Sequence, residues 1–311
     1  MKRNYGFDNI KAILIFFVVV GHLLEFCGAF PLLYRMIYLF HMPVFMFVSG
    51  YFAKFGARQL LDKIWMYGLF QTAYIFFERA VKPAETVLQY TTPYWILWYM
   101  FVMIFYTALI PLYHAKSREK RVVVLVCSVL LALGAGFIEK NGLYLSLSRF
   151  FVFQPYFLLG FYAKEQQVPS LGRNTFICTG VGAVLSLGIA WLPAVTSRML
   201  YGSMHYTDVN GIWYRLLLLC SSVVWIGFFW AMKDRINRNI PLVTAIGSNT
   251  ISIYLLHGFL MRMGAWGLLP IPQGIAGILL SSLLICLFLG NAVMGTAVSN
   301  LSPVKWFPKK K

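Results

Sequence analysis

Residues 10–26 read IKAILIFFVVVGHLLEF, and within that run only Lys11, His22 and Glu25 can carry charge. A polar group without a partner is costly in hydrocarbon, so a titratable ring inside such a run needs a reason to be there. Comparable runs recur at 35–53, 60–79, 95–113, 121–138, 150–163, 174–192, 212–232, 242–262 and 273–296. Their lengths suit bilayer-crossing helices and exceed what a barrel strand needs. The chain of 311 residues is therefore expected to be all-α, a polytopic membrane bundle of about ten transmembrane helices forming a single domain over 1–311. The sixth run is the shortest, which predicts a tilted or half-buried helix.

Composition agrees with this. Hydrophobic residues make up 59% of the chain, charged residues 12%, and the mean hydropathy is +0.70. That balance is far from the soluble norm. A net charge of +17 raises the question of nucleic acid. The basic residues, however, fall in short clusters between apolar runs, which is the pattern of topology signals, so no nucleic-acid partner is expected. Cys27, Cys127, Cys178, Cys220 and Cys286 are scattered without ligand spacing, so they are expected to pack as small apolar residues, with no disulfide framework and no metal. Lys2 and Arg3 precede the first run as in a signal peptide, but without a clear small-residue cleavage site it is expected to stay as a helix.

Charge also predicts orientation. With the N-terminus in the cytoplasm and ten spans, 19 of the 27 basic residues fall on inside segments. These are Lys2, Arg3 and Lys11; Lys54, Arg58 and Lys63; Lys116, Arg118, Lys120 and Arg121; Lys164 and Arg173; Lys233, Arg235 and Arg238; and Lys305, Lys309, Lys310 and Lys311. Arg35, Arg79, Lys82, Lys140, Arg149, Arg198, Arg215 and Arg262 remain for the outside. The positive-inside rule thus places both termini in the cytoplasm. The hydrophilic stretch 193–211 is expected to be an outer loop.

Three of the five histidines lie within runs. His22 is about twelve residues into an outward-running helix, His41 about six into an inward-running one, and His257 about fifteen into another outward-running one. At 1.5 Å per residue all three fall in the outer half of the bilayer. Each alone reads as a core histidine on a backbone carbonyl. At one depth, with Glu25 a turn from His22, they predict a shared polar site suited to proton transfer near neutral pH. His114 and His205 lie in loops and are expected to be incidental. Lys11 and His22 are about 16 Å apart along one helix and on one face of it.

FDNIKAILIFFVVVGHLLE (7–25) resembles the first helix of the integral-membrane acyltransferase-three family, marked by a basic residue, ten residues, then histidine. YLFHMPVFMFVSGYF (38–52), PYWILWYMFVMIFY (93–106), SRFFVFQPYFLLGFY (148–162) and IGSNTISIYLLH (246–257) are similar to its later motifs, in family order. Within the family the likeness is to the branch related to fucose 4-O-acetylases, where lysine takes the first basic position. Two departures stand out. The loop AKFGARQLLDK offers Lys54, Arg58 and Lys63 in place of a paired-arginine motif, and the Arg118/Arg121 pair lies in a different loop. No extracytoplasmic domain follows, so the bundle itself is expected to hold the acceptor.

The resemblance implies a cytoplasmic acyl-CoA donor, acetyl-CoA above all, and a hydroxyl acceptor on a cell-surface or lipid-linked glycan. It implies an O-acetyltransferase of the cytoplasmic (inner) membrane, with the lipid bilayer as its surroundings and no metal. Lys11, Lys54, Arg58 and Lys63 are expected to bind the donor, whose pantetheine arm would span the distance from Lys11 to His22. His22 is expected to act as general base, with Glu25 orienting its ring and His41 and His257 polarising the thioester or completing a hydrogen-bonded net. An acyl-histidine intermediate is an open alternative. Arg149, Trp95 and Tyr99 are expected at the acceptor; a helix-end anchor and an interfacial aromatic belt are their plainer readings. The rival function is a proton-coupled transporter with the histidines as a relay, which predicts repeat symmetry and paired broken helices.

Overall fold

A computed structural model describes residues 4–83, 87–115, 117–138, 144–169, 171–270, 272 and 274–305. Lys2, Arg3, Lys116, Lys140, Lys309, Lys310 and Lys311, counted above as topology signals, lie outside the described residues, as does the Lys305 side chain.

Each of the ten apolar runs coincides with a helix or a bent pair of helices. In chain order they are α1 (Tyr5–Cys27), α2 (Pro31–Tyr38), α3 (His41–Phe52), α4 (Ala57–Val81), α5 (Trp98–Tyr113), α6 (Arg118–Gly134), α7 (Leu147–Glu165) and α8 (Arg173–Ser186). Then follow α9 (Ser197–Leu200), α10 (Asn210–Arg235), α11 (Pro241–Ser248), α12 (Thr250–Ala265), α13 (Gly274–Leu289) and α14 (Ala292–Asn300). The rest of the described chain is 3₁₀ turns and irregular connections, without strands. Among the described residues six spans are long and apolar enough to cross a membrane, and eight if α11–α12 and α13–α14 each count as one bent span. The protein is an all-α, multi-pass membrane protein. The helices α4 and α7, which carry the third and sixth runs, are longer than those runs and are not among the eight.

The first helix is the hub. The Asn4 side chain caps its start by accepting from the Gly6 amide, and Gly28, in the left-handed region at φ 57°, ends it. Apolar on nearly every side, α1 is surrounded by α2, α3 and α10 to α13, as a helix without a polar face must be. Beside it, α3 and α7 cross at very close range. A Cβ built on Gly50 would lie 1.9 Å from the Phe157 carbonyl oxygen, and one on Gly160 would lie 1.9 Å from that of Phe47. Reciprocal glycines let two backbones touch where lipid provides no hydrophobic drive.

Three features depart from the sequence reading. The sixth run is not short or half-buried: α7 has 19 residues and a largely buried surface. The stretch 193–211 does not stand free as a loop, because α9 folds back and buries Val195, Met199, Leu200 and Tyr206. The last two spans are broken, by 78° between α11 and α12 and by 59° between α13 and α14. Backbone groups freed at a break within a membrane need internal partners. Asn249 supplies one, donating to Ala245 O and Gly290 O at 3.0 Å each, and Ser252 donates to Leu289 O at 2.6 Å. The two breaks are therefore tied to each other.

Candidate active site

On α1 the residues Lys11, Ile15, Val18 and His22 recur at helical spacing and form one stripe. Its upper three line a small, mostly apolar cavity of about 90 Å³ with Met42 and Phe45 of α3, Tyr99 of α5, and Thr250, Tyr254 and His257 of α12. The rings of His22 and His257 stack, with centroids 5.4 Å apart and planes 26° apart. Trp95, in the 3₁₀ turn before α5, sets its indole against His22 at 4.5 Å.

The two rings are held differently. His257 is buried in α12, with Nδ1 2.8 Å from Ile253 O, which makes Nδ1 the protonated nitrogen. Its buried Nε2 then carries a lone pair with no hydrogen-bond partner among the described residues. His22 has both polar neighbours on Nδ1: Glu25 Oε2 at 3.4 Å and the Tyr38 hydroxyl at 3.4 Å. The residue itself lines the cavity.

His41 does not join that pair. Its Nδ1 bonds Ile37 O at 2.8 Å, and its ring packs edge-on against Tyr38 at 4.5 Å, so Tyr38 stands between it and His22. Tyr38 continues into a buried phenol cluster, where Tyr201 Oη lies 3.4 Å from Tyr38 Oη and Tyr34 bonds Tyr201. Arg149 sits over the rings of Trp98 (5.1 Å) and Tyr201 (5.8 Å), and its Nε has no hydrogen-bond partner among the described residues. It stands in the first turn of α7 with its Nε buried.

Two larger cavities flank the histidine pair. One, of about 510 Å³, is lined by Gln59, Asp62 and Lys63 of α4 and shares Tyr99 and Ile251 with the small cavity. The other, of about 550 Å³, is lined by Glu78, Tyr94, Trp95 and Arg262 among others, so that Trp95 belongs both to it and to the surroundings of His22. Of the other expected donor cations, Lys11 pairs with Asp8 Oδ1 at 2.9 Å, while Lys54 and Arg58 are exposed and line none of these cavities. His114 pairs with Glu165 Oε1 at 2.5 Å, far along the chain from the pair on α1 and α12, and His205 is exposed.

Sequence reasoning missed Tyr38, Tyr254 and the Glu78–Arg262 ion pair. Glu78 carried a usable signal, since it is one of only ten acidic residues and ends an apolar run. Tyr38 carried none, because tyrosine is common at membrane interfaces.

Comparison with known proteins follows the same lines. The family model described as "Acyltransferase domain" matches residues 4–291. Nodulation protein NolL of Mesorhizobium japonicum (strain LMG 29417 / CECT 9101 / MAFF 303099) is 37% identical over 103 residues, 31% of this chain. NolL of Sinorhizobium fredii (strain NBRC 101917 / NGR234) is 45% identical over 60 residues, 17% of this chain. The matched segments span about a quarter and a sixth of those relatives, at 25% and 16% of their lengths. No solved structure matches significantly. With a family match across nearly the whole chain, on a helical membrane bundle, this protein belongs to the integral-membrane acyltransferase-three family.

Proposed function

We propose that the protein is an O-acyltransferase moving an acetyl group from cytoplasmic acyl-CoA to a hydroxyl of a cell-surface or lipid-linked glycan, with transfer at His22. The carrying observation is the position of His22. It lines the apolar cavity, its ring lies 4.5 Å from that of Trp95, which lines the polar one, and its Nδ1 faces Glu25 and Tyr38. The reading includes a cytoplasmic-membrane location, both termini in the cytoplasm and ten spans, supported by the charge distribution.

In this mechanism the donor enters by the cavity at Asp62 and Lys63, with Lys63 and Lys11 meeting its phosphates. The acyl-pantetheine arm runs past Tyr99 into the small cavity, so Tyr99 serves the donor side rather than the acceptor. The acceptor oxygen attacks the thioester carbonyl carbon while His22 Nε2 takes its proton. The C–S bond then breaks, and the thiolate leaves with that proton. Glu25 and Tyr38 hold the imidazole in orientation and stabilise its charged form. His257 offers the second acceptor lone pair at the reacting centre. Arg149, which stands over the Tyr201 ring and within electrostatic reach of Glu25, balances negative charge there.

The transporter reading has one observation in its favour, the broken spans α11–α12 and α13–α14. They are consecutive, however, rather than matched between two halves. His41 and His257 also each bond a carbonyl of their own helix, which leaves no chain of histidines.

The test is reconstitution of the purified chain in vesicles with radiolabelled acetyl-CoA and methyl glycosides as acceptors. Wild type should form glycoside ester, and His22→Ala should lose it by about 10²–10⁴-fold while keeping its detergent-extracted fold. Ester formation by His22→Ala within a factor of a few of wild type removes His22 from the chemistry.

A further inference from the structure

We infer that the 550 Å³ cavity beside Trp95 is the acceptor subsite, built for a polyhydroxylated ring that stacks on Trp95 while two of its hydroxyls bridge the Glu78–Arg262 ion pair. This rests on the acyl-transfer reading above and deepens it, since nothing there says which residues hold the acceptor.

The floor of the cavity is an ion pair with a phenol set into it. Arg262 Nε lies 2.9 Å from Glu78 Oε1, and the Tyr94 hydroxyl donates to Glu78 and accepts from Arg262. The guanidinium also stands over two rings, 5.3 Å from the centroid of Tyr94 and 5.6 Å from that of Trp95. Stacked guanidinium and fixed carboxylate give side-by-side donors and acceptors in rigid geometry. Adjacent hydroxyls of a ring, each both donor and acceptor, are the complement of such a surface. A lipid tail is not.

Rigidity comes from below. Tyr94 stacks on Tyr74 at 4.5 Å, and Tyr74, buried, donates to Leu255 O at 2.9 Å. The platform is thus fixed to α12, the helix that carries His257. Next to it, Trp95 lines the polar cavity and meets the His22 ring edge-on, with centroids 4.5 Å apart, so we take its indole as the partition between the two. A ring stacked on that indole presents its edge toward the histidines, so a hydroxyl reaches His22 past Trp95 without entering the apolar donor cavity. Donor and acceptor therefore meet from opposite sides of a single aromatic wall.

The ion pair joins α4 to α12, so its loss by truncation could unfold the local structure. Conservative variants answer this. The experiment uses the full chain in vesicles with radiolabelled acetyl-CoA and, as probes, methyl fucopyranoside and methyl galactopyranoside, with cyclohexanol as an acceptor that stacks but has one hydroxyl. Glu78→Gln and Trp95→Phe are each expected to raise the KM for the methyl glycosides about tenfold, leaving the KM for acetyl-CoA within twofold. Cyclohexanol should be a poor acceptor for wild type and equally poor for Glu78→Gln. Glu78→Gln with unchanged glycoside KM, or cyclohexanol matching the glycosides, overturns the subsite. A variant whose acetyl-CoA KM rises as much as its glycoside KM also overturns it, because the defect is then general. If wild type transfers to no probe, the acyl-transfer reading fails instead, and that outcome is separate from any change confined to the variants.

Discussion

In the proposed mechanism His22 depends on what touches its Nδ1, and the phenol there is open to a clean test. Tyr38→Phe removes one hydroxyl 3.4 Å from the imidazole and keeps the ring that packs on His41. If Tyr38 orients the base, kcat should fall about tenfold with the acetyl-CoA KM unchanged, a positioning effect rather than loss of the base itself. An unchanged kcat in steady-state transfer assays discards that role. Lys11 is open to an equally direct test, because it is already paired with Asp8 at 2.9 Å. A donor phosphate must compete with that carboxylate. Lys11→Ala should therefore weaken acetyl-CoA binding, and Asp8→Asn, which frees the ammonium, should strengthen it several-fold by calorimetry. Were both variants to bind like wild type, Lys11 would be a topology signal alone.

At the scale of elements, the sequence made the helices legible and left their interruptions hidden. Length and apolarity name a span because a bilayer has one thickness. They do not name a break. The run 242–262 holds no proline, and the 78° bend at Asn249 exists because the Asn249 amide satisfies carbonyls on two chain segments at once. That is a tertiary fact. For the same reason the matched depth of His22 and His257 could be read from helix rise, whereas the placement of Tyr38 between His22 and His41 could not. Depth is a one-dimensional quantity, and azimuth depends on neighbours. The motif YLFHMPVFMFVSGYF likewise hid the purpose of its glycine, which the α3–α7 crossing reveals. Gly50→Ala would place a methyl 1.9 Å from the Phe157 carbonyl oxygen, forcing the helices apart at about 1–3 kcal/mol. Gly68→Ala, on α4, meets nothing within 4 Å and should be neutral or slightly stabilising. Thermal melts in detergent should separate the two variants clearly, and equal melting points would mean that the crossing tolerates a Cβ.

For the whole molecule the question is which end faces the cytoplasm, because the donor argument needs the Lys63 cavity inside and the Trp95 cavity outside. The charge count argues for that orientation, and charge is a property of the chain as a whole rather than of any one helix. Single-cysteine labelling tests it, provided the sites are chosen from the fold. Tyr206 sits in the longest polar stretch but is buried, with its hydroxyl donating to Leu133 O at 2.9 Å, so a cysteine there would report packing. Val209, at 67% exposure just before α10, and Glu119, exposed in the first turn of α6, stand at opposite ends of the bundle. Neither substitution removes a basic residue, so neither disturbs the signal being measured. In a background with the five native cysteines replaced, Val209→Cys should react with a membrane-impermeant maleimide added to intact cells. Glu119→Cys should react only after the membrane is opened. The reverse pattern would put Lys63 outside and Trp95 inside, and a cytoplasmic thioester could then no longer approach His22 through the apolar cavity.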